Sequence, residues 1–79
     1  MKGKIFNVNI RGCESKLNKN NEAYLLIHFE DDTGKPCDIV DKNMEHQSLY
    51  KRNIDGDFDV DITMGKYTSV RVIDFTPYK

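Results

Sequence analysis

From residue 57 to 64 the chain places Phe58, Val60, Ile62 and Met64 on even positions and Asp57, Asp59, Asp61 and Thr63 on odd ones. A helix would scatter those apolar side chains around its circumference, whereas a strand points successive side chains to opposite faces. The segment is a half-buried strand, and the rest of the chain must supply the sheet that covers its apolar face. With 79 residues and 38% apolar side chains, the protein can enclose only one small core, because a chain of this length buries roughly 60% of its unfolded surface. That arithmetic excludes a large multi-site enzyme.

Residues 4–11 repeat the period of two, with Phe6, Val8 and Ile10 on one side and Asn7, Asn9 and Arg11 on the other. The polar stretch 12–22 reads as a long hairpin loop, since Asn18, Asn20 and Asn21 tolerate left-handed backbone. A second strand over 23–30 turns Leu25, Ile27 and Phe29 inward and Tyr24, Leu26 and His28 outward. Asp31, Asp32 and Gly34 then supply side-chain acceptors and a positive φ for a turn. Pro36 leads a short third strand over 37–40, where its missing N–H costs least. Residues 43–52 contain no β-branched side chain, start at Asn43 and end on Lys51 and Arg52, which predicts a short helix with Met44, Ser48 and Leu49 as its inward stripe. After Asp55 and Gly56 comes the alternating strand, then a turn at Gly65 and Lys66, then a fifth strand over 67–76 that stops at Pro77. In that last strand Val70 and Val72 share one face and Ile73 and Phe75 the other, so a bulge near Ile73 is expected to bring both pairs to the core. The fold class is mainly β: one domain over 1–79, a five-stranded small barrel with a short helix between strands three and four.

Several chemistries are set aside by spacing. The longest apolar run, 24–29, is interrupted by His28 and falls far short of the roughly 18 residues a membrane span needs. The amino-terminal residues turn polar after Ile5 and Phe6, unlike a secretory signal, so the expected compartment is the cytoplasm. There Cys13 and Cys37, which form no CxxC pair, are expected as free thiols. His28 and His46 lie at no zinc-motif spacing from either cysteine. Asp55, Asp57 and Asp59 imitate the start of a calcium loop, but Val60 stands where its glycine belongs and Lys66 where its last acidic ligand belongs. No metal and no cofactor are expected. Nothing places a cysteine beside a histidine as a nucleophilic pair, and a barrel this small has little cleft for paired carboxylates, so catalysis is not expected. Phe6, Phe29, Phe58 and Phe75 read as core, while Tyr24, Tyr50, Tyr67 and Tyr78 divide between barrel rim and contact surface because each hydroxyl wants water.

Five strands, a helix between the third and fourth, a long first hairpin loop and a glycine turn between the last two strands make the layout of the OB-fold; SH3-like barrels and other five-stranded sheets are alternatives. The chain also resembles the small single-stranded DNA-binding proteins of phages and mobile elements. The likeness lies in Gly3-Lys4-Ile5-Phe6 at the first strand, Val70-Arg71-Val72-Ile73-Asp74-Phe75 in the fifth, and the Thr76-Pro77 ending. It implies a nucleic-acid strand bound across strands two and three, flanked by the first hairpin loop and the turn between strands four and five. Such a site needs aromatic faces for bases and cations along the phosphates. Tyr24 and His28 on strand two and Tyr67 at the last turn are the candidate platforms; Lys16, Lys19, Lys66, Arg71 and, on strand one, Arg11 are the candidate cations. The reading requires the tyrosines and lysines to converge on one face.

Charge opposes it in part. The formal charge of −1 is the sum of basic and acidic blocks, with Glu30, Asp31, Asp32, Asp38 and Asp41 clustered around strand three. There is no general attraction to phosphate. A second reading is therefore a protein-interaction module, an adaptor or inhibitor of the accessory kind, using an exposed strand edge or the acidic row Asp55, Asp57, Asp59 and Asp61, a row that would also repel edge-to-edge strand pairing.

Overall fold

The computed structural model describes residues 1–78. They form β1 (Lys2–Leu17), β2 (Ala23–Glu30), β3 (Pro36–Asp41), β4 (Asp55–Thr63) and β5 (Ser69–Pro77), with a 3-10 helix at Met44–Leu49 between β3 and β4. The sheet closes in the order β1-β2-β3-β5-β4, with β4 returning to β1. Every pair is antiparallel except β3 with β5, which meet through Val40 and Arg71 in parallel. This is the mainly β, five-stranded closed sheet that the alternation predicts. None of its helices among the described residues is long and apolar enough to cross a membrane.

Closure depends on β1, which pairs with β4 through its first half and with β2 through its second. To serve both neighbours the strand must bend, and it does so at two register shifts, between Ile5 and Val8 and between Ile10 and Gly12. At the first, Asn7 takes a left-handed φ of 58°, a conformation that asparagine adopts more readily than most residues. Side-chain parity changes there. Ile5 packs against the core, Val8 and Ile10 are fully buried, and Phe6, expected inside, is 58% exposed. The second half of β1 continues to Leu17, well past the expected strand end, so Lys16 lies on a strand and the hairpin loop shrinks to 18–22. Within that loop Asn21 adopts φ 60°, and the Asn18 side-chain Oδ1 accepts from the backbone N–H groups of Asn20 and Glu22. The 31–35 turn is built as expected: Asp31 accepts from the backbone of Thr33 and Lys35, and Gly34 supplies φ 83°.

The core is aromatic at its centre. Phe58 meets Phe29 edge-on at 5.1 Å between centroids and Phe75 at 5.2 Å, and Tyr50 stands 5.4 Å from Phe75. Val60, Val72, Leu25, Ile27 and Ile39 fill the space around them. The bulge expected at Ile73 exists, since Asp59 pairs with Asp74 while Val60 pairs with Val72. It delivers one residue of each pair, Val72 and Phe75, to the interior; Val70 and Ile73 stay largely outside. Met64, placed by alternation on the buried face, lies beyond the end of β4 and is exposed.

The expected helix is a single 3-10 stretch, capped by the Asn43 side chain, which accepts from the Glu45 N–H. Met44 and Leu49 touch the core from it and Ser48 does not. Its position is held by Asp41, the one charged side chain buried in the interior among the described residues, 1% exposed. Asp41 accepts from the Asn43 N–H at 2.9 Å, from His46 Nδ1 at 2.7 Å and from the Tyr50 hydroxyl at 2.5 Å. Burial and the neighbouring carboxylate push the Tyr50 hydroxyl far above its ordinary pKa, so it is a permanent donor. Asp41, grouped by the sequence with the acidic cluster around strand three that opposes phosphate, is withdrawn from that surface: its register partner on β2 is the fully buried Leu25, and this puts it inside.

Candidate nucleic-acid interface

Because residues paired across a sheet share a face, the register maps the outer surface of β1, β2, β3 and β5. Lys16 stands opposite Tyr24, Glu14 opposite Leu26, and Leu26 opposite Val40, which in turn neighbours Arg71. A recess of about 430 Å³ opens on this surface, lined by Asn18, Glu22, Ala23, Tyr24, Leu26, Val40 and Lys42. The lining brings the apolar side chains of Leu26 and Val40 together with Tyr24, Lys42 and the hairpin-loop residues Asn18 and Glu22. A flat ring beside aliphatic carbons and between cations suits one unstacked base with its phosphates.

Of the residues expected from sequence, Tyr24 lines this recess, Lys16 stands across from Tyr24 and Arg71 beside Val40; Lys42, Val40 and the loop residues Asn18 and Glu22, which line it, were not among them. The missed signal was the alternation of strand three. Carried past residue 40, it puts Asp38, Val40 and Lys42 on one side and Cys37, Ile39 and Asp41 on the other.

The remaining candidates are placed elsewhere or engaged. His28 sits on the same surface, but its Nε2 lies 2.8 Å from Glu14 on β1 and its Nδ1 2.7 Å from Asp38 on β3. Only the doubly protonated ring donates to both, and these bonds, Glu14 first, raise the His28 pKa while His28 lowers that of Glu14. The ring ties three strands together on this surface. Arg11 is the unpaired residue at the second shift of β1, and its guanidinium donates to Asn53 at 2.8 Å, away from the recess. Lys19 is exposed in the 18–22 loop. Lys66 and Tyr67 lie in the 64–68 loop, the ammonium 5.9 Å above the Tyr67 ring, with Tyr67 79% exposed. Since β5 runs parallel to β3 with Arg71 beside Val40, that loop extends toward the beginning of β3, whereas Tyr24 sits near its end. The two tyrosines thus stand toward opposite ends of the strands, and the register gathers only part of the expected set around one recess.

The acidic row on β4 points outward as its alternation requires, yet its charge is used within the fold. Asp55 accepts from Asn9 at 2.7 Å, Asp57 from the Asn7 N–H and the Tyr78 hydroxyl, Asp59 pairs with Lys4 at 3.4 Å, and Asp61 meets the amino terminus and Arg71, each at 3.3 Å. Tyr78 holds the Asp57 carboxyl below its ordinary pKa, and the terminal amine does the same for Asp61. Nor does the row guard an open edge, because β4 is paired on both sides. Cys13 and Cys37 are half-buried free thiols, the Cys13 pKa raised by burial. Among the described residues no three histidine, cysteine, aspartate or glutamate side chains are arranged to hold a metal ion. Compared with protein-family models, curated proteins and solved structures, the chain matches none of them.

Proposed function

We propose that this protein is a non-enzymatic binding module for single-stranded nucleic acid, using the outer surface of β1, β2 and β3. One observation carries the reading: Tyr24 lines a recess together with the apolar Leu26 and Val40 and with Lys42, and Lys16 stands across from Tyr24 on β1. The strand order and the helix between β3 and β4 are those of the OB layout, and in such barrels this surface is the one that takes oligonucleotides. Arg71, beside Val40 on β5, is already paired with Asp61, and Lys66 with Tyr67 lies toward the opposite end of the strands, so the single face that the sequence reading required is not formed and the proposal rests on the Tyr24 recess with Lys16 and Lys42. The free thiols Cys13 and Cys37 fit a reducing cytoplasm as the setting.

Binding should weaken with salt. Two phosphate contacts, from Lys16 and Lys42, correspond to a slope of roughly −1.4 in log K against log salt for a single strand. Fluorescence anisotropy of a labelled oligonucleotide measures this, with no binding at low salt near micromolar protein as the refuting result. The competing reading, a protein partner on the Asp55, Asp57, Asp59 and Asp61 row, has less support, because those carboxylates already serve β1 and β5.

A further inference from the structure

The rim of the recess has a hydrogen-bonding pattern of its own, and from it we infer that the base held beside Tyr24 is guanine. This rests on the proposed single-strand reading and adds the identity of the base. The Asn18 side-chain Oδ1 is committed to the loop, accepting from the N–H groups of Asn20 at 2.9 Å and Glu22 at 3.0 Å, so the amide's orientation is set. Its Nδ2 therefore faces Glu22 and donates to Oε1 at 3.3 Å. That leaves Nδ2 with a second N–H, and it leaves Glu22 Oε2 without a hydrogen-bond donor among the described residues. Both side chains line the recess with Tyr24.

Side by side, the pair presents one donor followed by two acceptors, the pattern that the pairing edge of cytosine offers. Guanine carries the complement: O6 accepts, N1–H and N2–H donate. The Asn18 amide meets O6 and the Glu22 carboxylate takes N1–H and N2–H together. Every other base puts at least one acceptor against the carboxylate: adenine its N1, cytosine its N3 and O2, thymine or uracil its O2. An acceptor turned toward an anion is repelled as well as left unpaired, so the rim disfavours these bases as well as favouring guanine. The carboxylate also repels phosphate, which keeps the backbone on the Lys16 and Lys42 side and the base edge toward the loop.

The test uses the full chain and labelled oligo(dT) strands carrying a short central run of dG, dA, dC or deoxyinosine, with the same series in RNA. The dG strand should bind about tenfold more tightly than the dA and dC strands, the low end of what one bidentate contact to a base is worth. Deoxyinosine, which lacks the N2 amine, should fall between. Glu22→Gln replaces one acceptor with a donor and should bring dG and dA strands to within about twofold of each other. The exposed side chain can be changed without touching the backbone bond to Asn18; Asn18→Ala would also dismantle the loop, so Glu22 is the position to vary. Guanine preference in either sugar series supports the inference and names the natural source. Equal binding of all strands, or a dG preference that survives Glu22→Gln, overturns it while the single-strand reading stands. If no strand binds, both fall.

Discussion

Gly56 opens β4 at the point where it is squeezed between β1 and β5, opposite Val8 and Pro77. A methyl group added there would lie 2.5 Å from the Thr76 carbonyl oxygen and 2.6 and 2.7 Å from Phe75 Cζ and Cε1. Comfortable contacts between such atoms are about 3.5–4.0 Å, so the ring and the β5 backbone must both retreat by roughly 1 Å. The ring cannot move alone, because it packs against Phe58 and Tyr50. Overpacking a tight core costs about 1–3 kcal/mol, and a clash that includes backbone belongs at or above the top of that range. We expect Gly56→Ala to lose about 3 kcal/mol out of the roughly 4–12 kcal/mol available to a domain this small. With a urea slope of about 1 kcal/mol per M, the unfolding midpoint falls by roughly 3 M. Gly3→Ala meets only Ile62 Cδ1 at 3.5 Å and Val60 Cγ2 at 3.7 Å, and Gly65→Ala meets nothing within 4 Å. Both should stay within about 1 kcal/mol of the parent. Gly34→Ala separates shape from space: nothing lies within 4 Å, but its φ of +83° makes the substitution cost about 1–2 kcal/mol. A loss under about 1 kcal/mol at Gly56, or a loss no larger than at Gly3, refutes the packing argument.

Three further outcomes follow from the buried and outer networks. Tyr50→Phe removes the hydroxyl that donates to Asp41 at 2.5 Å and leaves a buried carboxylate short of a partner, for a loss of about 1.5–3 kcal/mol in urea melts; a change within error refutes it. His28 has its pKa raised above the ordinary 6.5, so its contribution is complete below that pH and fades as pH rises through the folded value; Glu14, lowered from 4.5, contributes above that pH and fades as pH falls through its folded value. The stability gap between the parent and His28→Gln is therefore widest between those two values, and equal gaps near pH 5.5 and pH 9 would count against the bridge. Tyr24→Ala should weaken oligonucleotide binding by about 1–3 kcal/mol in anisotropy titrations, more than Tyr67→Ala does; the reverse order moves the interface to the 64–68 loop.

Much of the barrel was legible because alternation is a local property. Leu25, Ile27 and Phe29 on β2, and Phe58 and Val60 on β4, are buried as their parity requires, and the turn chemistry of Asp31 and Gly34 is read from single residues. Parity fails where the strand bends, as Phe6 shows, because a bulge is a response to partners far away in sequence. The same limit applies to the candidate site. That Tyr24 points outward follows from its neighbours in the chain. That Lys42 and Val40 stand beside it, that His28 is held by Glu14 and Asp38, and that the β4 aspartates are matched by Lys4, Arg71 and the amino terminus follow from pairings across strands.

The chain alone therefore determined a small β protein, the inward residues of its regular strands and the 31–35 turn, since each is written in the spacing of adjacent residues, but not that Phe6 would leave the core and Tyr50 enter it. Tertiary pairing decided which outward side chains share a surface and which charges remain free, because register is set by the closing of the whole sheet and a carboxylate's availability depends on what lies across from it.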